Sequence, residues 1–217
     1  CAEQVRFAKN GTDATSGAIR LARAYTARER IAVCGYHDWQ DWYIGSTTKN
    51  LGVPKCVQDL THTFNYNSID SLEQILKEYP DEFAAVILEP MSSEYPKDNF
   101  LSKVKKLTHN HGALLIFDET CTGFRLSYGG AQELFGVTPD IATFGKGLAN
   151  GYPLSALVGK EEYMNVMKDI FFSGTFGGET LSLAASKAVL EKIKRDNTLE
   201  HINNLGQYLH KELDKLL

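Results

Sequence analysis

Lys146 stands between two glycines at the end of an apolar run, in the stretch Pro139-Asp140-Ile141-Ala142-Thr143-Phe144-Gly145-Lys146-Gly147. Ile141–Phe144 reads as a buried strand. An amine at its carboxyl end, with no side chain on either neighbour, is placed to face a bound molecule. Open α/β sheets take their ligands at that end of the strands. Two further apolar runs stop at acids: residues 84–88 at Glu89, and residues 113–117 at Asp118 and Glu119. Charge at a buried strand end is costly unless it is paired or used. The turn Lys9-Asn10-Gly11-Thr12-Asp13 opens a helix, where backbone N–H groups converge and favour an anion. Tyr36, His37, Trp39 and Trp42 crowd the segment after the run at residues 31–34, and aromatic faces there suit a flat ligand. Each feature has a plain alternative: a surface lysine in a turn, a capped helix, loop aromatics packed on the core.

The elements that must position these groups alternate. Strands are expected at residues 5–7, 31–34, 84–88, 113–117, 140–144 and 154–158. Helices are expected at 13–27, 68–79, 99–110, 161–167, 179–195 and 198–217, the first with Thr12 as its N-cap. Strands alternating with helices predict an α/β fold: three layers, α/β/α, around a mainly parallel sheet. The chain has 217 residues, 43% of them hydrophobic, enough for a sizeable core. A formal net charge of −4 without a basic cluster argues against nucleic acid or an anionic membrane as partner. No apolar run reaches the ~18 residues of a membrane span. Cys1, Cys34, Cys56 and Cys121 are scattered, which predicts reduced thiols in a cytoplasmic protein rather than zinc ligands or disulfides. His109 and His111 have H-x-H spacing at a helix end, a weak basis for a metal site, and none is expected. The glycine fingerprints of dinucleotide folds and P-loops are absent.

An amine, a carboxylate, an aromatic face and an anion site at strand ends are the needs of pyridoxal 5′-phosphate (PLP). The segments that carry them, Lys9 to Thr15, Gly35-Tyr36-His37, Ile87-Leu88-Glu89-Pro90, Ile116-Phe117-Asp118-Glu119 with Thr122-Gly123-Phe124-Arg125, Pro139 to Lys146, and Gly174-Thr175, come in one order along nearly the whole chain. In that order they resemble the class III, fold type I, PLP-dependent aminotransferases, above all the branch similar to glutamate-1-semialdehyde aminomutase. The resemblance implies a Schiff base on Lys146, Asp118 on the pyridinium nitrogen, and Glu89 near cofactor and substrate. It further implies the phosphate at Gly11 and Thr12, Tyr36 stacked on the ring, and His37 and Thr120 among the cofactor contacts. Thr175 would reach the phosphate held by a neighbouring subunit, so a homodimer with shared active sites is implied. The activity implied is amino-group transfer or an amino shift on a small-molecule amino donor or acceptor.

Departures from the family pattern fall close to the site. Thr120 stands where an apolar residue is usual, and Cys121 where many transaminases have a glutamine touching the ring oxygen. Gly177-Gly178-Glu179 replaces a common Gly-Asn-Pro. Residues 1–195 are expected to form a PLP-binding large domain, and residues 196–217 a helix leading toward a small domain not contained in the sequence. A second reading is a non-catalytic PLP-fold module, or a truncated fragment, that binds cofactor or dimerises without turnover. Intact Lys146 and Asp118 favour the enzyme.

Overall fold

The continuous apolar runs become the interior strands, because a strand covered on both faces has no solvent side to alternate toward. The structure, a computed structural model, describes residues 1–37 and 39–216. Asp38, in the aromatic segment, and Leu217, the expected end of the last helix, lie outside the described residues. The strands are β1 (Gln4–Ala8), β2 (Arg30–Cys34), β3 (Thr61–Thr63), β4 (Phe83–Leu88), β5 (Leu114–Asp118), β6 (Ile141–Phe144) and β7 (Ser155–Gly159). They form one sheet in the order β1-β7-β6-β5-β4-β2-β3. Pairing is parallel from β3 through β2, β4 and β5 to β6. β7 runs against them, antiparallel to both β6 and β1. The expected mainly parallel sheet is present, with a reversed strand near one edge that strand–helix alternation does not reveal.

The helices are α1 (Gly11–Thr26), α2 (Asp41–Ile44), α3 (Lys55–Gln58), α4 (Ile69–Glu78), α5 (Phe100–Asn110), α6 (Gly130–Leu134), α7 (Glu161–Met164), α8 (Thr180–Arg195) and α9 (Thr198–Leu213). They cover both faces of the sheet. Ile31, Val33, Ile87, Ile116, Ile141 and Leu157 point to one face and pack with Ile19, Leu21 and Ala22 of α1. Burying a side chain such as Ile19 or Leu21 contributes about 1.5–3 kcal/mol. Ala32, Val86, Leu88, Leu115 and Phe117 point to the other face, against Leu72 and Leu76 of α4 and Phe100 and Val104 of α5. Ala142, Ala156 and Val158 continue that face toward Leu183 and Leu190 of α8.

Two local expectations change. The N-cap of α1 is Asn10, not Thr12: the Asn10 side chain accepts from Asp13 N–H at 3.0 Å, and the Asp13 carboxylate accepts from Asn10 N–H at 3.2 Å. This reciprocal capping box fixes the helix start one residue before Thr12. The helix expected over residues 161–167 tightens after Met164 into a 3₁₀ turn, Asn165–Lys168. Short elements α2, α3, β3 and α6 occupy stretches without a readable period.

Candidate active site

Because β1 and β7 are antiparallel, as are β7 and β6, β1 points the same way as the central strands. The carboxyl ends of β1, β2, β4, β5 and β6 therefore meet along one edge of the sheet, joined by the amino end of the reversed β7. A cavity of about 300 Å³ opens there, within the range of small-molecule sites. Gly11, Thr12, Tyr36, His37, Glu89, Asp118, Thr120 and Lys146 all line it. Thr175 does not: it is exposed in the turn before α8.

Asp118 ends β5 and is 4% exposed. Its Oδ2 lies 2.9 Å from His37 Nδ1, and its Oδ1 accepts from Thr120 N–H and from the Thr143 hydroxyl, both at 3.1 Å. Burial pushes this carboxyl up. The hydrogen bond and charge of His37, with Thr120, outweigh burial and hold it below the usual carboxylate range. A carboxylate so held keeps its charge for a cationic partner in the cavity. His37 is itself buried, behind Asp118, where its Nε2 meets the Cys34 carbonyl at 3.0 Å. Burial, then Glu89, pushes the neighbouring Cys34 thiol up to about 12, so it stays protonated.

Glu89 follows β4 and accepts from Tyr36 N–H at 3.1 Å. The contact depends on Gly35, whose φ is +104° and where a Cβ would come within 2.6 Å of Glu89 Oε2. Tyr36 is 63% exposed and lines the cavity, and its ring stands at 90° to that of Tyr43 with centroids 5.7 Å apart. Lys146 begins a 3₁₀ turn with φ +36°, a left-handed conformation that costs free energy and is concentrated at functional sites. Its Nζ donates to Cys121 Sγ at 3.0 Å.

The floor is built from two backbones pressed on one threonine. A Cβ at Gly11 would lie 3.1 Å from Thr120 Cγ2, and one at Gly145 would lie 3.2 Å from it. Thr120 Oγ1 is buried and has no hydrogen-bond partner among the described residues. The N–H groups of Gly11 and Thr12 belong to the first turn of α1, where intrahelical acceptors do not exist. An amine without a carboxylate partner, a held carboxylate, unfilled amides and an orphaned hydroxyl around one space fit a flat, phosphate-bearing aromatic aldehyde such as PLP.

Sequence reasoning did not single out Lys9, Tyr152 or Leu154, which also line the cavity. Lys9 Nζ is held 2.8 Å from Glu179 Oε1, and Glu179 caps α8 by accepting from Leu181 and Ser182 N–H. Lys9, followed by Ser182, draws the Glu179 carboxyl down to about 2. The reversal of β7 brings Tyr152 and Leu154 in, and nothing local in the sequence signals it. Glu119, the second acid after β5, turns away from the site. It is fully buried and accepts from Thr122 Oγ1, Ala131 N–H and Gln132 N–H at 2.6–2.9 Å. His109 Nε2 lies 2.8 Å from the buried carboxylate of Asp140, tying α5 to the start of β6.

The sheet, its two helical layers and the lysine at the strand ends define the fold of the fold type I PLP-dependent transaminases. Residues 1–217 match the class-III aminotransferases, and the chain belongs to that family. It is 42% identical over 224 residues to the 3-aminobutyryl-CoA aminotransferase of Cloacimonas acidaminovorans, covering 100% of this chain and 53% of that protein. It is 38% identical over 232 residues to the glutamate-1-semialdehyde 2,1-aminomutase of a Sulfurihydrogenibium species, covering 99% and 54%. The ornithine aminotransferase of Toxoplasma gondii, whose structure holds PLP at partial occupancy, superposes with a TM-score of 0.89 at 25% identity, over 100% of this chain and 55% of that one. The chain thus spans about half the length of the curated relatives it matches. Among the described residues no helix is long and apolar enough to cross a membrane.

Proposed function

We propose that this chain is the PLP-binding part of an aminotransferase or aminomutase, with Lys146 as the covalent anchor of the cofactor. The observation that carries the reading is the convergence of Lys146, Asp118, Glu89 and the first turn of α1 on one cavity. Bound PLP supplies an electron sink for negative charge at the carbon bearing the amino group. Asp118 would hold the ring nitrogen and its proton, with His37 and Thr143 keeping Asp118 oriented. The amides of Gly11 and Thr12 bind the phosphate. Tyr36 and Thr120 line the space the ring would occupy and would pack against it. Lys146, besides anchoring the cofactor, would hold and move a proton at the substrate carbon. Glu89 borders the space in front of that amine and orients the substrate.

The substrate class is a small molecule bearing an amine or a carbonyl, as the names of the relatives suggest. Residues 1–195 act as the cofactor-binding domain, and α9 leads on from it. Thr175, exposed and outside its own cavity, serves the phosphate of a second subunit, giving a homodimer with shared sites. Scattered cysteines without paired spacing suit a reducing cytoplasm. The test adds PLP to the full-length protein, follows the visible absorption of the attached cofactor, and then screens amino donors for its loss. A cofactor band that no amino donor discharges would favour a binding module without turnover.

A further inference from the structure

Cys121 and Lys146 meet at 3.0 Å, Nζ to Sγ, and both side chains are exposed in the cavity. They come from separate strand-end turns, Cys121 just after β5 and Lys146 just after β6. Each turn is fixed by the fold. Gly123 N–H bonds the Glu119 carbonyl at 2.8 Å, and Leu148 N–H bonds the Gly145 carbonyl at 2.8 Å. Gly123 is further pinned by the Phe144 ring, which a Cβ there would strike at 2.4 Å. The backbones that carry the thiol and the amine are therefore held in place, and the two groups meet between them. A thiol beside an amine has a reaction open to it that neither group has alone. Peroxides convert thiols to sulfenic acids, and a sulfenic acid condenses with a nearby nitrogen.

We propose that Cys121 and Lys146 form a peroxide-sensitive pair that closes into a covalent S–N bond and withdraws the amine from use. In the first step the Cys121 sulfur attacks a peroxide oxygen. An S–O bond forms, the O–O bond breaks, and hydrogen peroxide is reduced to water while the thiol becomes a sulfenic acid. In the second step the Lys146 amine, having given its extra proton to solvent, attacks that sulfur. An S–N bond forms, the S–O bond breaks, and the hydroxyl leaves with an amine proton as water. Two hydrogens are lost in all. A thiol reductant reverses the link by attacking sulfur and releasing the amine, and a second thiol then completes a disulfide of the reductant.

The other cysteines lack this arrangement. Cys34 is buried with its thiol pushed up to about 12. Cys1 faces the Gln132 side-chain oxygen at 3.6 Å. Cys56 is exposed on α3, but the adjacent Lys55 amine is paired with Asp59. The functional consequence rests on the proposed anchoring of PLP at Lys146: a linked amine cannot hold the cofactor, and a bound cofactor protects the amine.

The experiment treats the cofactor-free, full-length protein with hydrogen peroxide and measures its mass intact and after digestion. The expected result is a fraction lighter by about 2 Da, one digest product joining the peptide of Cys121 to that of Lys146, and reversal by dithiothreitol. Cys121→Ser removes the joined product, and Cys56→Ser retains it. Because the readout is mass on cofactor-free protein, it is independent of whether Lys146 anchors PLP. Loading is scored separately, as a borohydride-fixed adduct lost on oxidation and regained on reduction. Wild-type protein in which peroxide leaves Cys121 as a sulfinic acid, or untouched, with Lys146 unlinked overturns the proposal.

Discussion

His37 Nδ1 lies 2.9 Å from Asp118 Oδ2, and the two side chains are 0% and 5% exposed. The second ring nitrogen of His37 faces the Cys34 carbonyl at 3.0 Å. The imidazole thus braces the carboxylate from behind while the cavity lies in front. Asp118→Asn keeps this shape and removes the charge. The rate of amino transfer per bound cofactor is expected to fall by orders of magnitude while PLP still binds; a rate near wild type would leave Asp118 a structural acid. The pH dependence has a definite sign. The folded carboxyl lies below its unfolded value of about 3.9, so its charge stabilises the fold above that value. The contribution is lost as pH falls through the lower folded value. Acid titrations of unfolding should therefore be shallower below about pH 4 in Asp118→Asn than in wild type.

Gly35→Ala introduces a Cβ at φ +104°, within 2.6 Å of Glu89 Oε2. Both the backbone and the carboxylate must shift. Urea unfolding should show a loss of more than ~1 kcal/mol, and Glu89 should no longer hold the Tyr36 N–H. An unchanged midpoint would mean that this turn relaxes without strain.

Thr120→Val separates the fold from the cofactor. The Thr120 hydroxyl is buried without a partner, so replacing it with a methyl group should stabilise the cofactor-free protein by roughly 1–3 kcal/mol. Under the proposed function the same change should weaken PLP binding, because Thr120 lines the cavity. Thermal unfolding with and without PLP reads both effects, and a variant that gains nothing without cofactor contradicts the orphaned hydroxyl.

Much of this site was legible in the sequence because burial and charge conflict openly there. The run Ile116-Phe117-Asp118 cannot be read as an ordinary core strand, since a carboxylate needs partners at its end. Lys146 between glycines is similarly out of place on a surface. The role of His37 was hidden, because its partner Asp118 lies 81 positions away and no local pattern links them. Glu119 looked equivalent to Asp118, yet it faces Ala131 and Gln132 and serves the fold alone. Strand direction was hidden for the same reason. The apolar pattern of β7 is that of a parallel strand, and its reversal is set by the turn at Gly151 and by pairing with β1. The cap of α1 was displaced because Asp13 closes the box onto Asn10, which places Thr12 inside the first turn.

Thr175→Ala tests the shared site. Thr175 lies outside its own cavity, and under the shared-site proposal its loss reaches PLP through a second subunit. Retention of PLP should weaken by about 1–2 kcal/mol, the scale of a hydrogen bond to a charged group. The dimer should also gain less stability from PLP than in wild type. Sedimentation with and without PLP is the measurement, and a wild-type protein that binds PLP fully as a monomer refutes the shared-site reading.

The central claim is that Lys146 is the anchor. Reduction of the PLP-loaded protein with borohydride fixes the cofactor where it sits, and peptide mapping locates it. The account predicts a single stable adduct on Lys146, since Lys146 is the lysine that shares the cavity with Asp118 and lies free of any carboxylate, whereas Lys9 in the same cavity is paired with Glu179. An adduct on Lys9 or another lysine, with Lys146 unmodified, contradicts it.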